Sequence, residues 1–405
     1  MGRRTGRRRD VLLVNEFDLG GPPPTAARPL INADHGKGAC KMHDQVLTND
    51  CKIGVLLVGN FLSGSVGTRG ACEELALHLG ELDRLRVLTT SDKPQRILRL
   101  SDMLTTIWCR RNDFQVAQVD VYSGPAFLWA EATCAALRRF RKPYVLVLHG
   151  GNLPRFAHQR PRRVERLLRS ANVVTTPSEY LREQMAAYRA DLQLLPNALD
   201  LSAYRYRLRR RPRRSMIWLR AFHEIYNPIL VPQVLRLLAR DYPDLQMTMI
   251  GPNKADGSLD RTRQLAAKLG VLDRLSLPGA VLKEETPAWL DGGDIFLNTA
   301  NVDNTPVSVL EAMACGLCVV STNVGGLPYL LRDGEDALLV PPNSAEAMAA
   351  AVRRLFTERR LAERLSRNAR AKATLHDWTM VLPQWEELLC SLCPVKVFEP
   401  ATRSI

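Results

Sequence analysis

A chain of 405 residues, 46 % of them hydrophobic, is too long for one ordinary core and suits two domains. Its 56 Lys and Arg against 42 Asp and Glu give a formal charge of +14, which fits phosphate-bearing partners such as nucleotides, nucleic acid or anionic lipid, or an arginine-rich background. No run approaches the ~18 apolar residues needed to span a bilayer, and nine scattered cysteines frame no small disulfide-rich core, so a cytoplasmic protein, neither exported nor membrane-spanning, is expected.

Residues 1–50 combine an arginine run, the stretch Gly20-Gly21-Pro22-Pro23-Pro24 and few periodic apolar positions. They bury too little to offset ordering entropy and are expected to form a disordered tail. From Cys51 short apolar runs alternate with helical stretches, the signature of a parallel sheet flanked by helices. Strands are predicted at 53–58, 86–90, 116–121, 144–149, 173–176 and 193–195, defining an N-terminal domain over 51–203. After the first strand come Gly64, Gly67 and Gly70 in a G-x-x-G-x-x-G spacing and then a helix at 71–79. A strand, glycine turn and helix can hold an anion or can simply be a tight turn; the spacing is neither the dinucleotide fingerprint nor a P-loop.

The stretch 160–169 (RPRRVERLLR) sets Arg162, Arg163, Arg166 and Arg169 around Val164, Leu167 and Leu168. It reads either as a solvated basic helix or as a peripheral surface for anionic lipid. Residues 204–214 (YRYRLRRRPRR) carry seven arginines and a proline, a linker signature. Strands then restart at 216–219, 246–250, 275–277, 295–298, 318–321 and 337–340, giving a second domain over 215–375. Helices are predicted at 344–357, 359–374 and 378–390, and the segment 376–393 is expected to cross back to the first domain. The fold class is therefore α/β, two doubly wound parallel-sheet (Rossmann-like) domains in tandem.

The richest chemistry lies in residues 298–340. A strand runs into a polar loop, Thr305 can cap a helix, Pro306 suits its first position, and Gly316 stops it. The N–H groups of Val307 and Ser308 then point out of the helix start, where a diphosphate can be held without metal. The Glu311 carboxylate can accept two hydrogen bonds from a diol such as ribose, and Asp303 can accept from sugar hydroxyls. A second strand and the turn Gly325-Gly326 bring more backbone to the same end of the sheet, where ligands of open parallel sheets collect.

Asp303, Glu311-Ala312-Met313-Ala314-Cys315-Gly316 and Gly325-Gly326 resemble the donor-binding signature of retaining glycosyltransferase family 4, the group 1 glycosyl transferases of GT-B fold. Other segments fall in that family's order, from about Cys51 to Leu389. Gly67–Gly70 resembles its first glycine turn, and His149-Gly150-Gly151 the histidine that ends a first-domain strand. Pro196-Asn197-Ala198-Leu199-Asp200 resembles the segment before the linker. In the second domain Arg220 resembles the arginine ending the first strand, Ile250-Gly251-Pro252 the third-strand turn, and Gly279-Ala280-Val281 the loop facing the nucleobase.

The resemblance implies a glycosyltransferase with the donor in the second domain, the acceptor in the first and catalysis after closure of the cleft between them. His149, Arg220, Asp303 and Glu311 become the catalytic set; Gly67, Gly251, Val281, Thr305, Val307, Ser308 and Glu311 contact the donor. The expected partners are a nucleotide-sugar, a glycan or lipid-linked acceptor and an anionic membrane surface. No nucleic acid is expected, since no aromatic-interleaved basic strand occurs. No Asp-x-Asp occurs either, so neither a metal nor any other cofactor is expected. A four-thiolate zinc site from Cys315/Cys318 and Cys390/Cys393 is disfavoured, because the pairs sit at the donor helix end and on the terminal helix. Three departures stand out: Asp303 where the family has Glu, Thr305-Pro306 where it has Phe-Gly, and no lysine within a turn of Arg220. His223, Tyr226 and Asn227 are the candidates to help Arg220 instead. A nucleotide-sugar epimerase or a non-catalytic protein on the same fold are the alternatives.

Overall fold

The computed structural model describes residues 52–66 and 69–393; the expected tail over 1–50 and Gly67 lie outside the described residues. Among the described residues twelve strands form two six-stranded sheets, parallel throughout. The first contains β1 Ile53–Val58, β2 Leu85–Thr90, β3 Val116–Val121, β4 Tyr144–Leu148, β5 Val173–Thr176 and β6 Gln193–Leu194, in the order β2-β1-β3-β4-β5-β6. The second contains β7 Ser215–Leu219, β8 Gln246–Ile250, β9 Leu275–Gly279, β10 Ile295–Asn298, β11 Cys318–Thr322 and β12 Ala337–Val340, in the order β12-β11-β10-β7-β8-β9.

Each sheet is covered on both faces. One apolar cluster pairs Leu56, Val119 and Leu146 with the helices of one face, and another pairs Val55, Leu57 and Val147 with those of the other. The second sheet repeats this with Met216, Leu297 and Val320 on one side and Ile217, Phe296 and Val319 on the other. Burial on both sides is why these strands read as continuous apolar runs instead of alternating ones. The orders also fix where a ligand can sit. Neighbours diverge in chain direction between β1 and β3 in the first sheet and between β7 and β10 in the second, leaving a crevice at the carboxyl ends of those strands.

The arginine-rich segment 204–214 connects the sheets but is not a solvated tether. Arg209 is 1 % exposed, and Arg207, Arg209 and Arg213 converge on Asp294, itself 1 % exposed and the residue before β10. Part of the chain's positive charge is thus consumed internally. The helices Ala345–Thr357 and Leu361–Thr374 pack on the second sheet. The last helix, Trp378–Ser391, lays Trp378, Val381, Trp385 and Leu389 on the first sheet's Val55–Leu57 face. The return is clamped where the Leu199 N–H donates to the His376 carbonyl (2.9 Å) and the Trp378 N–H to the Leu199 carbonyl (3.2 Å).

The basic helix forms at Pro161–Arg169, but Val164, Leu167 and Leu168 are buried in the first core and Arg163 pairs with Glu131. Its apolar side is therefore spent inside the protein, which leaves a basic surface without the apolar half of a lipid-binding helix. Among the described residues no helix is long and apolar enough to cross a membrane.

Candidate active site

A cleft of about 1070 Å³ opens between the carboxyl ends of the two sheets. Its first-domain wall includes Asp120 at the end of β3 and His149 just after β4; its second-domain wall includes Arg220 after β7, Gly251 after β8, Val281 after β9, and Val307, Ser308 and Glu311. Gly251 follows the second strand of its unit, not the third. Arg220 and the loop after β10 flank the second sheet's switch point, so topology alone brings them together.

Helix Val307–Ala314 supplies the centre of the donor wall. Its N-cap is Pro306, with no side-chain cap, which corrects the expectation that Thr305 caps and Pro306 begins the helix. Thr305 is displaced from the cleft wall; its carbonyl accepts from Asn197 Nδ2 (3.2 Å) and so ties the donor loop to the end of the first unit. The Val307 and Ser308 amides have no intrahelical acceptor, as at any helix start. Ser308 Oγ is buried and has no partner among the described residues. An orphaned hydroxyl beside a positive helix end fits an anionic ligand.

Glu311 is 4 % exposed and lines the cleft. Its Oε1 accepts from the Tyr204 hydroxyl (2.8 Å) and from Lys283 Nζ. Burial, reinforced by the adjacent Glu311 carboxylate, pushes the Tyr204 phenol well above its ordinary value, so it remains a donor at any working pH. Neither Tyr204 nor Lys283 was read as a site residue, since one sits in the arginine run and the other lies just beyond the loop read as facing the nucleobase.

Asp303 corrects the expectation of a free sugar-binding carboxylate. It lies behind the cleft wall, 8 % exposed, with Oδ1 accepting from the Asn304 N–H (2.9 Å) and Oδ2 paired with Arg220 Nη2. One methylene shorter than Glu, the side chain turns onto its own loop and onto the arginine. Arg220 also lies over the Tyr226 ring, 4.5 Å from its centroid. Of the predicted helpers, Tyr226 and His223 line the cleft, whereas Asn227 turns away to Asn343 (2.9 Å). His223 Nδ1 accepts from the Ile225 N–H (3.2 Å). Lys254 also lines this wall, brought there because its N–H pairs with the Phe222 carbonyl.

Across the cleft, His149 Nε2 lies 2.9 Å from Asp120 Oδ1, and its ring stacks on Tyr122 at 5.0 Å. Asp120 is buried and also accepts from Gln118 Nε2 (2.6 Å). A carboxylate that fixes a histidine ring in a cleft orients it for contact with a ligand. Among the described residues no group of three or more His, Cys, Asp or Glu stands close enough to hold a metal ion.

The turn that closes the donor loop depends on glycine. Gly325 has φ of 52°, and a Cβ there would lie 2.0 Å from the Asp303 carbonyl oxygen. Gly325→Ala is therefore expected to destabilise by about 1–3 kcal/mol through backbone strain, plus whatever the clash adds, read as a lowered urea midpoint.

Residues 212–372 match the family Glycosyl transferases group 1, and residues 69–203 match Glycosyltransferase Family 4. The chain belongs to this glycosyltransferase family and has its GT-B fold. A D-inositol 3-phosphate glycosyltransferase of Paenarthrobacter aurescens is 26 % identical over 62 % of this chain and 65 % of its own length. An exopolysaccharide phosphotransferase of Streptomyces coelicolor is 32 % identical over 38 % of this chain but only 16 % of its own length. This chain therefore covers less than two thirds of either relative. Among solved structures, Anabaena HepE in complex with UDP superposes with a TM-score of 0.68 at 17 % identity, covering 84 % of this chain and all 100 % of that one. Sucrose-phosphate synthase of Thermosynechococcus elongatus gives 0.69 at 16 % identity, covering 84 % and 99 %.

Proposed function

We propose that this protein is a retaining, metal-independent glycosyltransferase that moves a sugar from a nucleotide-sugar to a hydroxyl acceptor held against the first domain. The observation that carries the reading is the convergence on one cleft of Arg220, the start of helix Val307–Ala314 with the orphaned Ser308 hydroxyl, and the buried carboxylate of Glu311. Together they match the three parts of a nucleotide-sugar: Glu311 the ribose diol, the helix start and Arg220 the diphosphate, and the space towards His149 the sugar.

In the reaction the acceptor oxygen attacks the anomeric carbon on the face from which the diphosphate leaves. The new C–O bond forms as the old one breaks, and the departing phosphate oxygen takes the acceptor's proton. Arg220 and the Val307 and Ser308 amides carry the charge that develops on the leaving group, which is the preorganised stabilisation that accelerates such steps. His149, held by Asp120, lies opposite to contact the sugar or acceptor. A lipid-linked acceptor would make the enzyme peripheral to an anionic membrane, with the arginines of helix Pro161–Arg169 as its electrostatic contact.

UDP is the first probe, because HepE of the same fold was solved with it. UDP-, GDP- and ADP-sugars are each expected to be tested by thermal shift and hydrolysis in the presence of a chelator, with Glu311→Ala as control. One of them should raise the melting temperature in the wild type and not in the variant, and the released sugar should keep its anomeric configuration. No stabilisation by any of the three would sink the reading. Inversion, or loss of turnover with chelator, would overturn the mechanism alone.

A further inference from the structure

We infer that Tyr204 and Lys283 are positioning residues that aim the Glu311 carboxylate at a vicinal diol, so that the connector between the two domains takes part in reading the donor's ribose. The inference rests on the donor reading above and adds two residues to it.

A glutamate carboxyl turns easily about its last torsion, whose profile is broad and roughly two-fold. Glu311 cannot use that freedom, because Oε1 holds both a phenol O–H and an ammonium N–H. Those two donors fill the lone pairs of one oxygen. Oε2 takes no hydrogen bond among the described residues and is not one of the buried atoms without a partner, so it remains open on a residue that lines the cleft. Its two lone pairs suit two adjacent hydroxyls. Lys283 has a second effect: it compensates the charge of a carboxylate that is 4 % exposed.

The origin of the two donors makes the arrangement directional. Lys283 comes from the loop after β9, within the second unit. Tyr204 is the first residue of the connector, and its position is fixed twice more: its carbonyl accepts from Arg370 Nη1 (3.2 Å), and the following arginines are locked on Asp294. The acceptor geometry is therefore set partly by the segment through which the two domains are joined.

The test is calorimetric binding of UDP, GDP and ADP and of their 2′-deoxy counterparts to the full chain, to Tyr204→Phe and to Lys283→Met. The wild type should prefer the ribo form by about tenfold, the scale of one hydrogen bond to a charged acceptor. Each variant should bring that preference to about twofold while affinity for the deoxy form falls less than that for the ribo form, since the deoxy form keeps only the 3′-hydroxyl of the diol contact. Lys283 is a third exposed and Tyr204→Phe keeps the ring, so both variants should melt cooperatively. A preference unchanged in both variants, or equal loss for ribo and deoxy forms, would overturn the positioning role while leaving the donor reading intact. Failure of all three nucleotides to bind the wild type would overturn both.

Discussion

Arg220→Ala is expected to lower sugar transfer by about 10²–10³-fold, the usual effect of deleting one preorganised donor from a charge-stabilising site. It is also expected to destabilise the protein by about 3 kcal/mol, for a separate reason. Arg220 is the cation beside Asp303, whose side chain is only 8 % exposed, and removing one partner of a buried pair strands the other. The two effects can be separated by a second substitution. Asp303→Asn in the Arg220→Ala background removes the stranded charge, so most of the stability should return in urea unfolding while activity stays low. Recovery of activity with stability would mean that Arg220 serves only to hold the Asp303 loop. Asp303→Asn alone leaves the guanidinium in place over Tyr226, so it is expected to retain transfer within about tenfold, where a catalytic carboxylate would lose far more.

The same pair marks where sequence reasoning stopped. The central strands were legible because strands buried on both faces are written as short apolar runs, whereas β2, β6 and β9, more exposed at the sheet edges, were legible from their short β-prone runs between helical stretches. The helix Val307–Ala314 was legible because its apolar run and glycine stop are local features, although its cap was placed one residue early. Asp303 could be named but not placed, since whether its carboxylate meets a ligand or Arg220 depends on an arginine 83 residues away. Tyr204, Lys283 and Asp120 were missed for that same reason: each acts through a partner distant in sequence, at separations of 107, 28 and 29 residues. The arginine run was legible as a linker but not in its packing, because composition counts charges and does not show that a buried aspartate pairs with three of them.

That aspartate carries the second large expectation. Asp294→Ala should destabilise the protein by about 3–5 kcal/mol in urea unfolding, the cost of leaving a buried cation uncompensated. The charge left behind is Arg209, fully buried, with Asp291 at 3.9 Å as its remaining carboxylate neighbour; Arg213, whose side chain is 57 % exposed, can turn to water, and Arg213→Ala should cost less than about 1 kcal/mol. Burial raises the Asp294 pKa, but hydrogen bonds from the Arg213 side chain and N–H and from Arg207 outweigh it, so the carboxyl ends below its ordinary value. A carboxyl depressed in the folded state contributes stability above the unfolded pKa, about 4, and loses it as pH falls through the folded value. The gap between wild type and Asp294→Ala should therefore be constant from neutral pH down to about pH 5 and narrow below about pH 4. A gap that widened on acidification would mean that burial, and not the arginines, dominates this site. Because Asp294 sits between the connector and β10, whose other end leads to the donor loop, a loss here should also weaken nucleotide binding even though no ligand atom is expected near it.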